Sequence, residues 1–331
     1  MPYKNFLDNI LSTTSKLTFR DHLDHLAARF RIRRGKHRVA PGLYALGSPT
    51  AGSLVFVSAN YTLSFDALRS ALEGLDAYIL VLNTHGINVW CAAGKGTFGT
   101  DELVNKIEET GLKDVVRHRT LILPQLAAPG VAAHTVRKRS GFKVEYGPVR
   151  SADLPEYLKT HQATPEMRRV RFPLVDRAVL VPVELVGTFL ALAIAVAAVY
   201  FLAGLLPALA TACTILAGIV LFPLLLPWLP FKDFSVKGFI LGLLVTLPFS
   251  LAIALGQPRD WVSLLSALLL LLLLPPVTAF ITLNFTGSTV FTSRSGVKRE
   301  IYAYIPLMAI LFGSGLVLTL ALRIYLWAGR L

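Results

Sequence analysis

LLSALLLLLLL, residues 264–274, is the stretch that most restricts what this chain can fold into. A water-exposed fold has no use for such a run, whereas a helix crossing the hydrocarbon core of a bilayer needs about 20 apolar residues. Five segments qualify: 179–204, 208–229, 236–255, 261–283 and 303–327. Charge thins at the same place. Residues 1–177 carry 25 Lys and Arg against 16 Asp and Glu, and residues 178–331 carry 8 against 4. The second half therefore reads as an all-α transmembrane domain of five helices, 179–331, with the lipid bilayer as its partner.

Basic residues set the expected orientation. Arg168, Arg169, Arg171 and Arg177 precede the first span, Lys232 and Lys237 lie between the second and third, and Arg294, Lys298 and Arg299 precede the fifth. The opposite loops hold little beyond Arg259. The positive-inside rule then puts the N-terminal domain in the cytoplasm and the C-terminus outside the inner membrane. MPYKNFLDNILSTTSKL lacks the long apolar core of a secretory signal, so we expect reduced thiols.

Inside the spans ionisable groups are scarce. Glu184 lies near the start of the first and reads as interfacial; Thr211, Cys213, Thr214, Thr246 and Thr278 offer no charge relay. Cys213 reads as a small packing residue, with hand-over of a soft metal ion as the alternative. Pro182, Pro223, Pro227, Pro248 and the Pro275-Pro276 pair are expected to kink or end helices.

The net charge of +13 invites a nucleic-acid reading, with RFRIRRGKHR (29–38) and RRVRF (168–172) as the densest runs. The first has few interleaved aromatics and the second abuts a span, where anionic lipid is the expected neighbour, so no nucleic-acid partner is expected. Two cysteines exclude a disulfide framework and any intrinsic iron–sulfur cluster.

Residues 1–165 alternate strands and helices, followed by a basic juxtamembrane linker at 166–178. TFRDHLDHLAARF (18–30) has helical periodicity, with Thr18 and Asp21 as a capping box. Strands are expected over 52–60, 77–82, 120–127 and 142–149. Helices are expected over 61–75, over 101–111 with Gly111 as C-cap, around 131–141 and over 151–161. The alternation implies an α/β domain, a mostly parallel sheet covered on both faces, with ligands at the carboxyl ends of its strands. Two such ends are polar, Ser58-Ala59-Asn60-Tyr61 and the segment NTHGINVWCAAGKGTFGT (83–100).

That segment spells G-x-G-x-x-G through Gly94, Gly96 and Gly99, but the strand ends at Leu82, far too early for a dinucleotide fingerprint, and no acidic partner ends the next strand. A phosphate loop fails too, since Lys95 is followed by Gly96 rather than Ser or Thr. Cys91 with His85 or His134 leaves nucleophilic catalysis open, without a hydrolase signature; His85 itself reads as structural. What remains is a short element, Asn88 to Ala93, with an aromatic wall, a thiol and small residues that admit a flat ligand. Cys91 is then either a packed small residue or a soft metal donor.

NVWCAAGK (88–95) resembles the cap-helix signature of the HgcA family, the membrane-bound corrinoid proteins of mercury methylation. PGLYALGSP (41–49), SANYTLSFDALR (58–69), NVWCAAGKGTFGTDELV (88–104), APGVAAHTVRKRSGFKVEYGPVR (128–150) and the five-span tail fit that family in order, so the resemblance covers essentially the whole chain. Related corrinoid iron–sulfur proteins of acetyl-CoA metabolism share the domain but lack the cysteine. Ser58 stands where the family has Thr, and Thr62 where it has Lys. The D-x-H-x-x-G motif is absent, which excludes a histidine cobalt ligand from that loop.

The resemblance implies a Rossmann-like corrinoid-binding domain and a methyltransferase that forms methylmercury from Hg(II). It implies a cobalamin-type corrinoid with Cys91 as lower axial ligand to cobalt. A donating thiolate trans to the methyl group weakens the cobalt–carbon bond more than histidine would. Val89, Trp90, Ala92, Ala93 and Gly94 would border the macrocycle, and Asn88 and Lys95 would support the thiolate. Ser58, Asn60, Tyr61 and Ser64 would bond corrin amides or the nucleotide tail. Implied partners are a small ferredoxin of the HgcB type with two 4Fe–4S clusters, as electron donor, and a methylated-folate:corrinoid methyltransferase, as methyl source. Two rival readings stay open: a corrinoid protein serving another soft acceptor, and a transporter or receptor with a cytoplasmic α/β regulatory domain.

Overall fold

The computed structural model of the chain describes residues 9–33, 35–257, 259–288 and 294–328. Contacts divide the chain into two compact units, Met1–Arg171 and Phe172–Leu331.

The first unit runs β1 (Leu11–Thr13), α1 (Phe19–Arg29), β2 (Gly42–Leu46), β3 (Val55–Ala59), α2 (Thr62–Ala71), β4 (Ala77–Leu82), α3 (Val89–Lys95), α4 (Thr100–Glu109), α5 (Leu112–Val115), β5 (Thr120–Leu123), α6 (Ala133–Ser140), β6 (Lys143–Tyr146), α7 (Leu154–Thr160) and α8 (Pro165–Arg168). The strands form one sheet in the order β1-β2-β4-β3-β5-β6. β4, β3, β5 and β6 are parallel, with Val57 opposite Leu80 and Phe56 opposite Ile122. β2 runs antiparallel to β4 and carries β1 parallel to itself. The expected parallel sheet thus holds for four strands, and an unforeseen reversed pair extends it.

Alternating side chains fill a layer on each face. Val55, Val57, Leu80 and Leu82 pack with Val89, Ala92, Phe98, Leu103, Ile107, Val136 and Phe142 on one side. Phe56, Ile79 and Val81 meet Phe65, Leu68, Leu72, Leu154 and Tyr157 on the other. The Thr18–Asp21 capping box forms. α4 ends one residue before Thr110, and Gly111 (φ 59°) reverses the chain. The expected strand over 120–127 stops at Leu123, because Pro124 has no N–H for the ladder and 125–127 form a 3₁₀ turn. The strands over 52–60 and 142–149 are likewise shorter, at Val55–Ala59 and Lys143–Tyr146.

The second unit runs α9 (Leu174–Ala178), α10 (Leu180–Ala203), α11 (Leu205–Leu216), a π turn (Ala217–Leu221), α12 (Phe222–Leu225), α13 (Phe234–Leu255), α14 (Trp261–Leu283), a 3₁₀ turn (Asn284–Ser288) and α15 (Arg294–Ala328). Five helical stretches are long and apolar enough to cross a membrane: Leu174–Ala203, Leu205–Leu225, Phe234–Leu255, Trp261–Thr286 and Ser295–Ala328. The last begins well before the expected 303. A hydropathy scan stops at Arg299 and Glu300, but both have partners at the start of α13: Arg299 bonds Asp233 at 2.6 Å, and Ser235 donates its N–H to Glu300 at 3.1 Å. Pro248, Pro275, Pro276 and Pro306 lie inside continuous helices. The break between the first two spans falls at Gly204, whose φ of 91° no helix accommodates.

Threonines join the bundle farther along α11, α13 and α14. Thr214 and Thr246 share a hydroxyl hydrogen bond of 3.1 Å, and Thr278 donates to the Thr214 carbonyl at 3.2 Å. Gly242 and Gly238 admit Thr278 and Thr282 so closely that a Cβ at either glycine would clash. Cys213 was expected as a packing residue; it is exposed, one residue out of phase with buried Thr214. Arg177 and Lys237, expected as flanking charges, are instead buried and bond carbonyls at the end of α12: Arg177 that of Leu224, and Lys237 that of Leu226, just past the helix, at 3.1 Å.

Candidate functional site

The chain goes from β3 to β4 on one side, then crosses back to β5 on the other, so the strand order reverses between β3 and β5. Loops leaving those two strands diverge, and a crevice opens outside their carboxyl ends. Here it is a cleft of about 270 Å³. Val57, Ser58, Ser64, Leu68, Asn88 and Trp90 line it from the first half of the sheet, and Leu123, Pro124, Leu126, Val149 and Ser151 from the second. Its polar groups are neutral: Ser58, Ser64, Asn88 and Ser151.

α3 roofs one side of this cleft. Asn88 caps it, its side-chain oxygen accepting the N–H of Cys91 at 2.9 Å. Gly96, at φ 86°, closes it. Val89, Ala92 and Ala93 are buried against the sheet. The opposite side carries Cys91, Gly94 and Lys95, all exposed. A Cβ placed on Gly94 would meet nothing within 4 Å, so no bulky group stands beside the thiol along the helix. α3 therefore does two things within four residues: Asn88, Val89 and Trp90 wall the cleft, and Cys91 faces outward.

The back of α3 also meets backbone at close range. A Cβ on Gly130 would lie 2.3 Å from the Phe98 carbonyl oxygen and 3.0 Å from the Ala93 Cα, and one on Gly99 would lie 2.6 Å from the Gly96 oxygen. Gly99 and Gly130 thus serve close packing beneath the helix, whereas Gly94 and Gly96 are exposed and open.

Two side chains hold the loop before α3: Glu102 accepts the Asn83 N–H at 2.7 Å, and Asn60 holds the residues after it. Asn60 is buried (2 % exposed), and its Oδ1 accepts from the Thr84 N–H at 3.0 Å, the Thr84 hydroxyl at 2.9 Å and the Gly86 N–H at 2.9 Å. His85 between them takes the left-handed conformation at φ 57°. The structure therefore separates the twelve residues singled out from the sequence. Ser58, Ser64, Asn88, Val89 and Trp90 line the cleft. Cys91, Gly94 and Lys95 share the outer face, Ala92 and Ala93 lie in the core, Asn60 positions the loop, and Tyr61 starts α2. Sequence reasoning missed the lining contributed by Pro124, Leu126, Val149 and Ser151. Their signal was the two strand ends at 123 and 146, which converge on the cleft only once the strand order is known. No group of three or more His, Cys, Asp or Glu among the described residues is placed to hold a metal ion.

Residues 26–158 match the protein family described as the CO dehydrogenase/acetyl-CoA synthase delta subunit. The chain is 35 % identical over 128 residues to the acetyl-CoA decarbonylase/synthase complex subunit gamma of Methanopyrus kandleri, a match covering 38 % of this chain and 27 % of that one. It is 34 % identical over 124 residues to the corresponding subunit of Archaeoglobus fulgidus, covering 37 % and 26 %. The match to that of Methanocaldococcus jannaschii is 30 % over 130 residues, covering 39 % and 26 %. The chain thus spans about a quarter of the length of these relatives. What matches is within the α/β unit, with β2 to β6 inside the family's span. These names concern acetyl-CoA and none concerns mercury.

Proposed function

We propose that the chain is a corrinoid-dependent methyltransferase of the HgcA type, in which α3 would hold a cobalamin-type corrinoid through the Cys91 thiolate as a ligand to cobalt, and which would form methylmercury from Hg(II). The observation that carries this reading is the double role of α3, which walls a cleft at the switch point and presents Cys91 outward one residue later. The residues fit such a group. The cleft's neutral hydroxyls and amide suit a side arm or nucleotide tail of such a group. The exposed face of α3 that carries Cys91, where Gly94 adds no side chain, would hold the ring.

When bound, the corrinoid supplies the transferable methyl group and the redox change at cobalt that its departure entails. The protein's own residues fix the ligand. The Asn88 bond holds the backbone of Cys91, Asn60 holds the loop that delivers Asn88, and Gly130 fixes the depth of the helix. Lys95, four residues after Cys91, brings a positive charge to the same side of α3. Trp90 presents an apolar wall to the cleft.

The match of residues 26–158 to subunits of acetyl-CoA-forming complexes supports the corrinoid part of the proposal. It equally favours a second reading, methyl transfer to an acceptor other than mercury. The ferredoxin donor and the methylated-folate methyltransferase belong to the proposal as partners; with two cysteines in the chain, clustered iron must come from elsewhere. The spans would anchor the enzyme with its α/β unit in the cytoplasm. The test is paired. Cells expressing the full chain should form methylmercury and lose that ability with Cys91→Ala while membrane levels of the protein hold. Corrinoid binding without methylmercury in the wild type would favour the second reading, and no corrinoid binding would sink both.

A further inference from the structure

Helix α1 is mounted with its polar side inward. Asp21 bonds Arg69 at 2.8 Å, His25 bonds Asp66 at 2.7 Å, Asp24 bonds His37 at 2.9 Å, and Arg69 in turn bonds Asp66 at 2.6 Å. No residue of α1 is itself buried. Its apolar side chains occupy the other face. Phe19, Leu23, Leu26 and Phe30, spaced 4, 3 and 4 apart, form one stripe and are 77, 49, 52 and 39 % exposed; Ile32, just beyond, is 55 % exposed. A surface helix ordinarily turns such a stripe toward the core.

The charge around the stripe is one-sided. The two acids of α1 are taken up by Arg69 and His37, whereas RFRIRRGKHR (29–38) holds six Lys and Arg and no acid. Arg31, Arg33 and Lys36 are exposed. Arg31 and Arg33 both take left-handed backbone, φ 62° and 53°, so the chain turns sharply directly after the helix, and His37 holds the turn by bonding the Ile32 carbonyl at 2.7 Å. An exposed apolar stripe running into unopposed cations is the composition of a helix lying in the interface of an anionic bilayer. Five helices of the same chain are long and apolar enough to cross such a bilayer, so a lipid surface is the partner whose chemistry the stripe and its cations match.

We propose that α1 and the basic turn after it form a second membrane contact, the stripe entering the headgroup layer of the chain's own anionic bilayer. The proposal is independent of the corrinoid reading and fails or stands without it.

The test places a benzoylphenylalanine photoprobe at Leu26, in the full chain, in nanodiscs of phosphatidylcholine alone or mixed with phosphatidylglycerol. A probe at Phe19 repeats it at the other end of the stripe, and one at exposed Glu73 serves as control. Both stripe positions are exposed, so the substitutions leave the packing intact. Expected are lipid adducts from both in the mixed discs. Their yield should fall several-fold in phosphatidylcholine alone, and likewise in Arg31→Glu/Arg33→Glu/Lys36→Glu. Adducts confined to protein, whether a second chain or residues 1–8, would overturn the proposal. So would lipid adducts equal to those from Glu73, or adducts indifferent to lipid charge.

Discussion

Asn88 accepts the backbone N–H of Cys91 on its side-chain oxygen at 2.9 Å, which ties the thiol-bearing residue to the first turn of a seven-residue helix. So short a helix has little stability of its own and depends on its cap and on the three residues it buries. Asn88→Ala should cost about 1 kcal/mol of α3 stability, and Asn88→Asp should restore most of it, since aspartate caps as well. Amide exchange over residues 91–95 measures this. We expect roughly fivefold faster exchange in the alanine variant and near wild-type exchange in the aspartate one.

Asn60 accepts the N–H groups of Thr84 and Gly86 on one buried oxygen, and shares the Thr84 hydroxyl with the Ile87 carbonyl at 2.7 Å. Asn60→Ala leaves them without that acceptor, and should lower the unfolding free energy of the α/β unit by about 3 kcal/mol. Proteolysis of the full chain in increasing urea reads the loss. Unchanged resistance would mean that the loop over 84–88 does not hang from Asn60.

Two glycines beside α3 should behave oppositely. In Gly130→Ala the new methyl meets the Phe98 oxygen and the Ala93 backbone, so the helix must move and folding suffers. In Gly94→Ala the methyl meets nothing, so thermal stability should hold or rise slightly, as glycine inside a helix is unfavourable. Added hydroxocobalamin, measured by retention on the purified chain, should nevertheless bind less well to Gly94→Ala, because the methyl occupies the face assigned to the ring.

The attachment of α1 should be acid-sensitive. Burial alone raises the Asp21 carboxyl, but the Thr18 N–H, the Arg69 guanidinium and the Thr18 hydroxyl favour its charged form and leave it below the usual 3.8. A carboxylate lowered on folding stabilises the fold above the unfolded value and loses that contribution as pH falls through the folded one. Pepsin cleavage within residues 18–30 should therefore accelerate as the pH drops below 3.8. Asp21→Asn should be cleaved faster at the outset and show a smaller acid step.

How much of this was legible depended on distance along the chain. AYILVL occupies residues 77–82 as strand to the residue, and the Thr18–Asp21 box forms, because both signals are complete within a few positions. NVWCAAGK likewise marked α3. The reversed strand β2 was not legible, since its antiparallel pairing to β4 joins segments more than thirty residues apart and leaves no local period. Nor was the mounting of α1: periodicity identifies two faces, but only His25–Asp66, 41 residues apart, tells which one turns inward. Asn60 read as a ligand-binding residue because it follows a strand end; its loop bonds come from positions that only the fold brings together. The early start of the fifth span was hidden because Glu300 and Arg299 are charges in the sequence and satisfied partners in the bundle.

The central claim is that Cys91 meets cobalt from α3. The full chain, purified with its bound corrinoid or loaded with hydroxocobalamin, should show an absorption spectrum that shifts in Cys91→Ala while the corrinoid, still held at the cleft, is largely retained. A spectrum unchanged by Cys91→Ala would contradict the assignment, and a wild-type chain that takes up no corrinoid would contradict the whole account.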